Sequence, residues 1–205
     1  MISDPRRFEA AMARFDAANA EDPQQEICQG QSYPRELLYA QRMSRWLARL
    51  EGDASEPLQL AARSQHIRRW EIPRGDYPPG RAGYHQWRTT LYGFHAEKAG
   101  AILVEVGYDQ ATVARVRDLL RKRHLKSDPE MQLLEDVICL VFLESYFSDF
   151  ARQHDEPQLI TILQKTWKKM SPRAHQAALE LPWAEAELAL IRKALASAGP
   201  GPDEG

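Results

Sequence analysis

Pro34–Leu50 reads PRELLYAQRMSRWLARL. Leu37, Leu38, Ala40, Met43, Trp46 and Leu47 recur there mostly at three- and four-residue steps, which predicts one buried face of an α-helix. Proline suits the start, because its missing N–H is one that a first helical turn leaves without a partner anyway. The same period continues on both sides. Upstream, Asp4-Pro5 predicts a helix to about Ala20 with Phe8, Met12 and Phe15 as its stripe, followed by a polar loop from Glu21 to Ser32. Downstream, Ser55 and Pro57 open a third helix, and the prolines and glycines from Pro73 to Gly80 end it near Trp70.

A fourth helix is predicted from about Gly83 to Val106, stopped by Gly107. Asp109 caps a short fifth, ending near Arg123. Asp128-Pro129 opens the sixth and most apolar, running to about His154. Pro157 opens a seventh, to Met170; Ser171-Pro172 an eighth; Pro182 a ninth. No stretch alternates with period two, so the fold class is all-α, a single-domain helical bundle over residues 1–196. The tail 197–205, rich in Gly and Pro, is expected to be disordered.

The chain has 205 residues, 43% of them hydrophobic, which is enough for one sizeable core. A net charge of −2 provides no global field for nucleic acid, so anion affinity has to be local. Two cysteines in unrelated contexts give neither a disulfide framework nor a zinc motif. The opening MISDPRRFEAAM has no apolar signal core, and the longest apolar run, Val137–Leu143, is too short for a membrane. A cytoplasmic protein with no membrane association is expected.

Four features are not required by a core. His95 sits in LYGFHAEKAGAIL, on a face shared with Leu91, Ala99 and Ile102. His66 sits in AARSQHIRRW, flanked by Arg63 and Arg69. Asp136 shares its face with Leu133, Leu140, Leu143 and Phe147, where a carboxylate needs a cation. The segment between the histidines carries Arg63, Arg68, Arg69, Arg74, Arg81 and Arg88 among Trp70, Tyr77, Tyr84 and Trp87. Guanidinium forks suit phosphate, and aromatic faces suit a base. Lys165, Trp167, Lys168 and Lys169 form a further basic cluster. Each also has an ordinary reading: a hydrogen-bonded core histidine, a surface histidine, an Arg–Asp pair, a loop held by cation–π contacts.

PRELLYAQRMSRWL, LAARSQHIRRWEIPR, GRAGYHQWR, FHAEKA, LEDVICLVFLE and KTWKKMS, in that order from Pro34 to Ser171, resemble the domain-of-unknown-function 4202 family. That resemblance covers about Phe8 to Leu181. A more distant one is to the HD superfamily of metal-dependent phosphohydrolases, which implies an HD-like bundle. It would make His66, His95 and Asp136 ligands of a divalent metal ion, and Glu135 or Glu144 the group that handles the attacking water. Arg63, Arg69, Arg74, Arg81, Arg88, Trp70 and Lys165 would hold the substrate. The superfamily's defining doublet is His-Asp, whereas Ala96 follows His95 here. Three functions accommodate these residues: a phosphohydrolase or phosphate-ligand-binding protein acting on a nucleotide or similar small phosphate, a non-catalytic RNA- or nucleotide-binding module, and a helical protein-interaction module. The metal-dependent reading predicts that His66, His95 and Asp136, from three different helices, converge in one pocket.

Overall fold

A computed structural model describes residues 2–124 and 127–197. It is all-α apart from one small hairpin, and it divides into two compact units, Met1–Leu134 and Glu135–Gly205.

The first unit begins with α1 (Pro5–Ala20), whose Asp4 cap accepts from the Arg6 and Arg7 N–H groups. Its Ala11 and Phe15 are fully buried. The predicted polar loop folds instead as an antiparallel hairpin, β1 (Gln25–Cys28) and β2 (Gln31–Pro34). Gln29 and Gly30 both take positive φ (52° and 78°), the backbone that a two-residue hairpin turn demands. Neither strand has a buried face, so no apolar alternation could announce it.

α2 (Arg35–Leu50) buries Leu38, Tyr39, Ala40, Met43, Trp46, Leu47 and Leu50. Each of the larger side chains contributes about 1.5–3 kcal/mol on leaving water. Pro34 caps it with no side-chain bond. The buried Asp22 serves instead, its carboxylate accepting the Glu36 N–H at 3.0 Å and the Gln24 N–H at 2.9 Å.

α3 (Glu56–Arg63) stops seven residues earlier than the sequence predicts. Ser64 Oγ donates back to the Leu60 carbonyl at 2.8 Å, and Arg68 enters the left-handed region at φ 52°. The Arg68 N–H donates to Asn19 Oδ1 of α1 at 3.1 Å, so a distant helix fixes this turn. Two single 3-10 turns follow, Arg69–Glu71 and Arg74–Asp76. α4 (Gly80–Val106) ends at Gly107 with φ 90°, and α5 (Gln110–Leu120) starts at its Asp109 cap. α5 ends short of Arg123 because Lys122 and His124 take positive φ. α4 packs on α5 and α1, and α3 on α2 and α5.

α6 (Pro129–Ser145) spans the division between the units. The long sixth helix of the sequence reading breaks at Tyr146 and resumes as α7 (Phe147–Ala151). α8 (Glu156–Trp167), α9 (Pro172–Leu179) and α10 (Glu185–Ser197) complete the second unit, with α8 against α10. α10 begins at Glu185 and not Pro182, where Trp183 Nε1 donates to the Ala178 carbonyl at 2.8 Å. The predicted tail disorder falls on residues beyond those described, apart from Ser197. Among the described residues no helix is long and apolar enough to cross a membrane.

Candidate functional site

The first unit brings His66 and His95 together, with ring centroids 5.8 Å apart. His66 comes from the turn after α3, and α4 supplies His95. The first two turns of α2 add Glu36 and Tyr39, neither of which the sequence singled out. His66 Nδ1 lies 3.2 Å from Glu36 Oε2. Tyr39 stacks on the imidazole at 3.9 Å and 10°. Arg69 Nη1 is 3.2 Å from Nδ1 and 3.4 Å from Nε2. A nitrogen so nearly equidistant from both would collide with the ring edge if it lay in plane. It therefore sits over the ring, on the face opposite Tyr39.

His95 is 2% exposed. Its Nδ1 faces the Ile67 carbonyl at 3.0 Å, and a carbonyl can only accept, so Nδ1 carries the proton. The other nitrogen, Nε2, is then a lone pair, buried and without a hydrogen-bond partner. Burial, and then the neighbouring His66, push the His95 pKa down to about 3, which keeps the ring neutral. Burial also drives His66 well below the usual imidazole range, assisted by Arg69, Lys122, Arg88 and Arg35. The Glu36 carboxyl moves the other way: burial raises it, opposed by Arg69, Arg35 and His95.

The cations around His66 are carried largely on aromatic rings. Arg69 lies 5.0 Å from the Trp87 ring, and Arg88 lies 5.8 Å and 5.4 Å from Tyr84 and Tyr92. Arg88 Nη2 donates to the Tyr92 hydroxyl at 2.5 Å. Lys122 Nζ is 5.4 Å from the Tyr92 ring. Among the described residues no carboxylate oxygen comes within 4 Å of Arg69 or Arg88, whereas Arg63, Arg68 and Arg115 are paired with carboxylates. Two of the strained left-handed residues, Arg68 and Lys122, are at or beside this cluster.

The other sequence candidates are placed differently. Arg63 forks onto Asp16 at 2.7 and 2.5 Å. Arg74 donates to the Tyr77 and Pro78 carbonyls, both at 2.9 Å, and so ties its own loop. Arg81 is exposed, 3.4 Å from His85 Nε2, and Trp70 lies 5.4 Å from the Arg68 guanidinium. Lys165, on α8, and Glu144, on α6, are exposed, while Glu135 is buried. Asp136, buried in the second unit, accepts the Ser171 N–H at 2.8 Å and its hydroxyl at 2.5 Å, anchoring the start of α9. For a metal, the two imidazoles offer nitrogen donors, but Glu36 sits on His66 Nδ1 and Ala96 follows His95. Among the described residues no three His, Cys, Asp or Glu donors are grouped to hold an ion.

Fold and site together define a helical protein whose first unit carries two neutral histidines under a rim of aromatic-bound cations. The chain belongs to the family described as Domain of unknown function (DUF4202), which matches residues 9–191. No curated protein and no solved structure matches it.

Proposed function

We propose that the first unit binds a phosphorylated small molecule, a nucleotide or similar compound, on Arg69 and Arg88 beside the two histidines. The observation that carries this reading is the charge arrangement. Arg69, Lys122, Arg88 and Arg35 all act on His66, in a chain whose net charge is −2. Aromatic rings hold two of these guanidinium groups in place without cancelling their charge, and their N–H forks remain suited to phosphate. Neutral histidines add no repulsion among the cations. Isothermal titration calorimetry with AMP tests this. Arg69→Met and Arg88→Met should each weaken binding tenfold or more. Absence of binding by the wild type to AMP, glycerol 3-phosphate and inorganic phosphate at millimolar concentration overturns it.

A second reading, a divergent HD-like metal-dependent phosphohydrolase, is favoured by one observation. Nδ1 of each imidazole faces an acceptor, the Glu36 carboxylate or the Ile67 carbonyl. Metal-ligating histidines are oriented in the same way, with the other nitrogen turned to the ion. A divalent ion there would polarise a phosphoryl group and activate water. Metal analysis of untagged protein decides it: stoichiometric metal, lost in His95→Ala, supports the reading, and folded metal-free protein excludes it.

A further inference from the structure

Among the described residues the strongest unexplained group is His95 Nε2. The Ile67 carbonyl fixes the proton on Nδ1, so Nε2 is an acceptor, and it is buried without a donor. An acceptor of this kind asks for an O–H or N–H, and leaving it unmet is costly. The dianionic phosphate of a monoester cannot supply one, because its oxygens only accept. An ammonium group or a bare metal ion would have to enter beside Arg69, whose charge disfavours a second cation at His95 against the opposing pull of Glu36. A neutral hydroxyl meets no such penalty.

We infer that the ligand is a phosphate ester of a polyol or sugar, whose phosphate rests on Arg69 and Arg88 and whose free hydroxyl donates to His95 Nε2. This rests on the phosphate-binding reading and narrows it to the hydroxylated class. Arg69 touches His66 at 3.2 Å, and the two imidazole centres are 5.8 Å apart, a separation on the scale of a small sugar phosphate. Glu36 and Tyr39 have a positioning role: the first fixes the Nδ1 side of His66 and the second its plane.

The probes are glycerol 3-phosphate and propyl phosphate, which share a three-carbon chain and a phosphate and differ in hydroxyls. Titrations are run at pH 8, above the second phosphate pKa of about 6. Wild-type protein should prefer glycerol 3-phosphate by about tenfold, the worth of one well-formed hydrogen bond. His95→Phe, which keeps the ring and removes the acceptor, should bind both compounds with the preference lost. The ¹⁵N resonance of His95 Nε2 in the wild type gives an independent readout, moving upfield with glycerol 3-phosphate and not with propyl phosphate. Equal wild-type affinities, a preference that survives in His95→Phe, or an unmoved Nε2 resonance overturns the hydroxyl assignment and leaves the phosphate site standing. Failure of both compounds and of inorganic phosphate to bind overturns the phosphate site as well.

Discussion

His95 couples the site to proton concentration. Its pKa is near 6.5 in an unfolded chain and about 3 in the fold. Between those values the unfolded chain binds a proton that the folded chain refuses. The stability this group contributes is therefore complete above pH 6.5 and drains away as pH falls toward 3, by about 1.4 kcal/mol per unit. His66, also lowered, has the same sign. Glu36 has the opposite sign: its raised carboxyl takes up a proton more readily when folded, so it offsets part of the loss in more acidic solution. The urea midpoint should fall between pH 7 and pH 5, and in His95→Phe the fall should be shallower while His66 preserves a remainder. A midpoint that is flat with pH, or a slope that His95→Phe does not change, contradicts the assignment. Glu36 shows why the site was only half legible. A glutamate in a first helical turn reads by default as a surface residue favoured by the helix dipole. Yet it shares a face with Tyr39, Ala40 and Met43, and that signal was present in the sequence. Arg63 shows the reverse: its charge was visible, but the Asp16 that occupies it lies 47 residues away.

At the scale of elements, spacing alone gave α2, most of α4 and the all-helical class, because each buries a continuous stripe. The hairpin and the break between α6 and α7 left no such stripe. α4 begins with a close approach. A Cβ on Gly83 would meet the Pro78 carbonyl oxygen at 1.9 Å and its carbon at 2.7 Å, both backbone atoms. Gly83→Ala should therefore cost about 1–3 kcal/mol in denaturant unfolding. Gly93, ten residues along the same helix with nothing within 4 Å of its Cβ position, is the control: Gly93→Ala should stabilise by about 0.5–1 kcal/mol. If both substitutions shift the midpoint in the same direction, steric contact at Pro78 is not what requires the glycine. α9 depends in turn on Asp136, whose carboxylate takes both the N–H and the hydroxyl of Ser171. Asp136→Ala should cost about 1.5–3 kcal/mol, the range for hydrogen bonds to a charged group, with protection from hydrogen exchange lost first in Pro172–Leu179.

For the molecule as a whole, the consequence of the site is linkage between ligand and unfolding. Glu36, His66, Arg69, Arg88 and His95 all belong to the first unit. A ligand that binds them only when they are folded stabilises that unit by RT ln(1 + [L]/Kd), about 2.7 kcal/mol at a hundredfold excess over Kd. For a protein of this length that corresponds to a rise in melting temperature of roughly 5–10 °C. The net charge of −2 sharpens the expectation, because no general attraction for anions adds to it. Glycerol 3-phosphate should raise the transition, and sodium chloride of equal ionic strength should not. In a calorimetric scan that resolves two transitions, only one should move, and the weaker binding of Arg88→Met should cut its rise to about half or less. Equal displacement of both resolved transitions, or an undiminished rise in Arg88→Met, would place the anion's effect outside the histidine site and remove the ground for the proposed function.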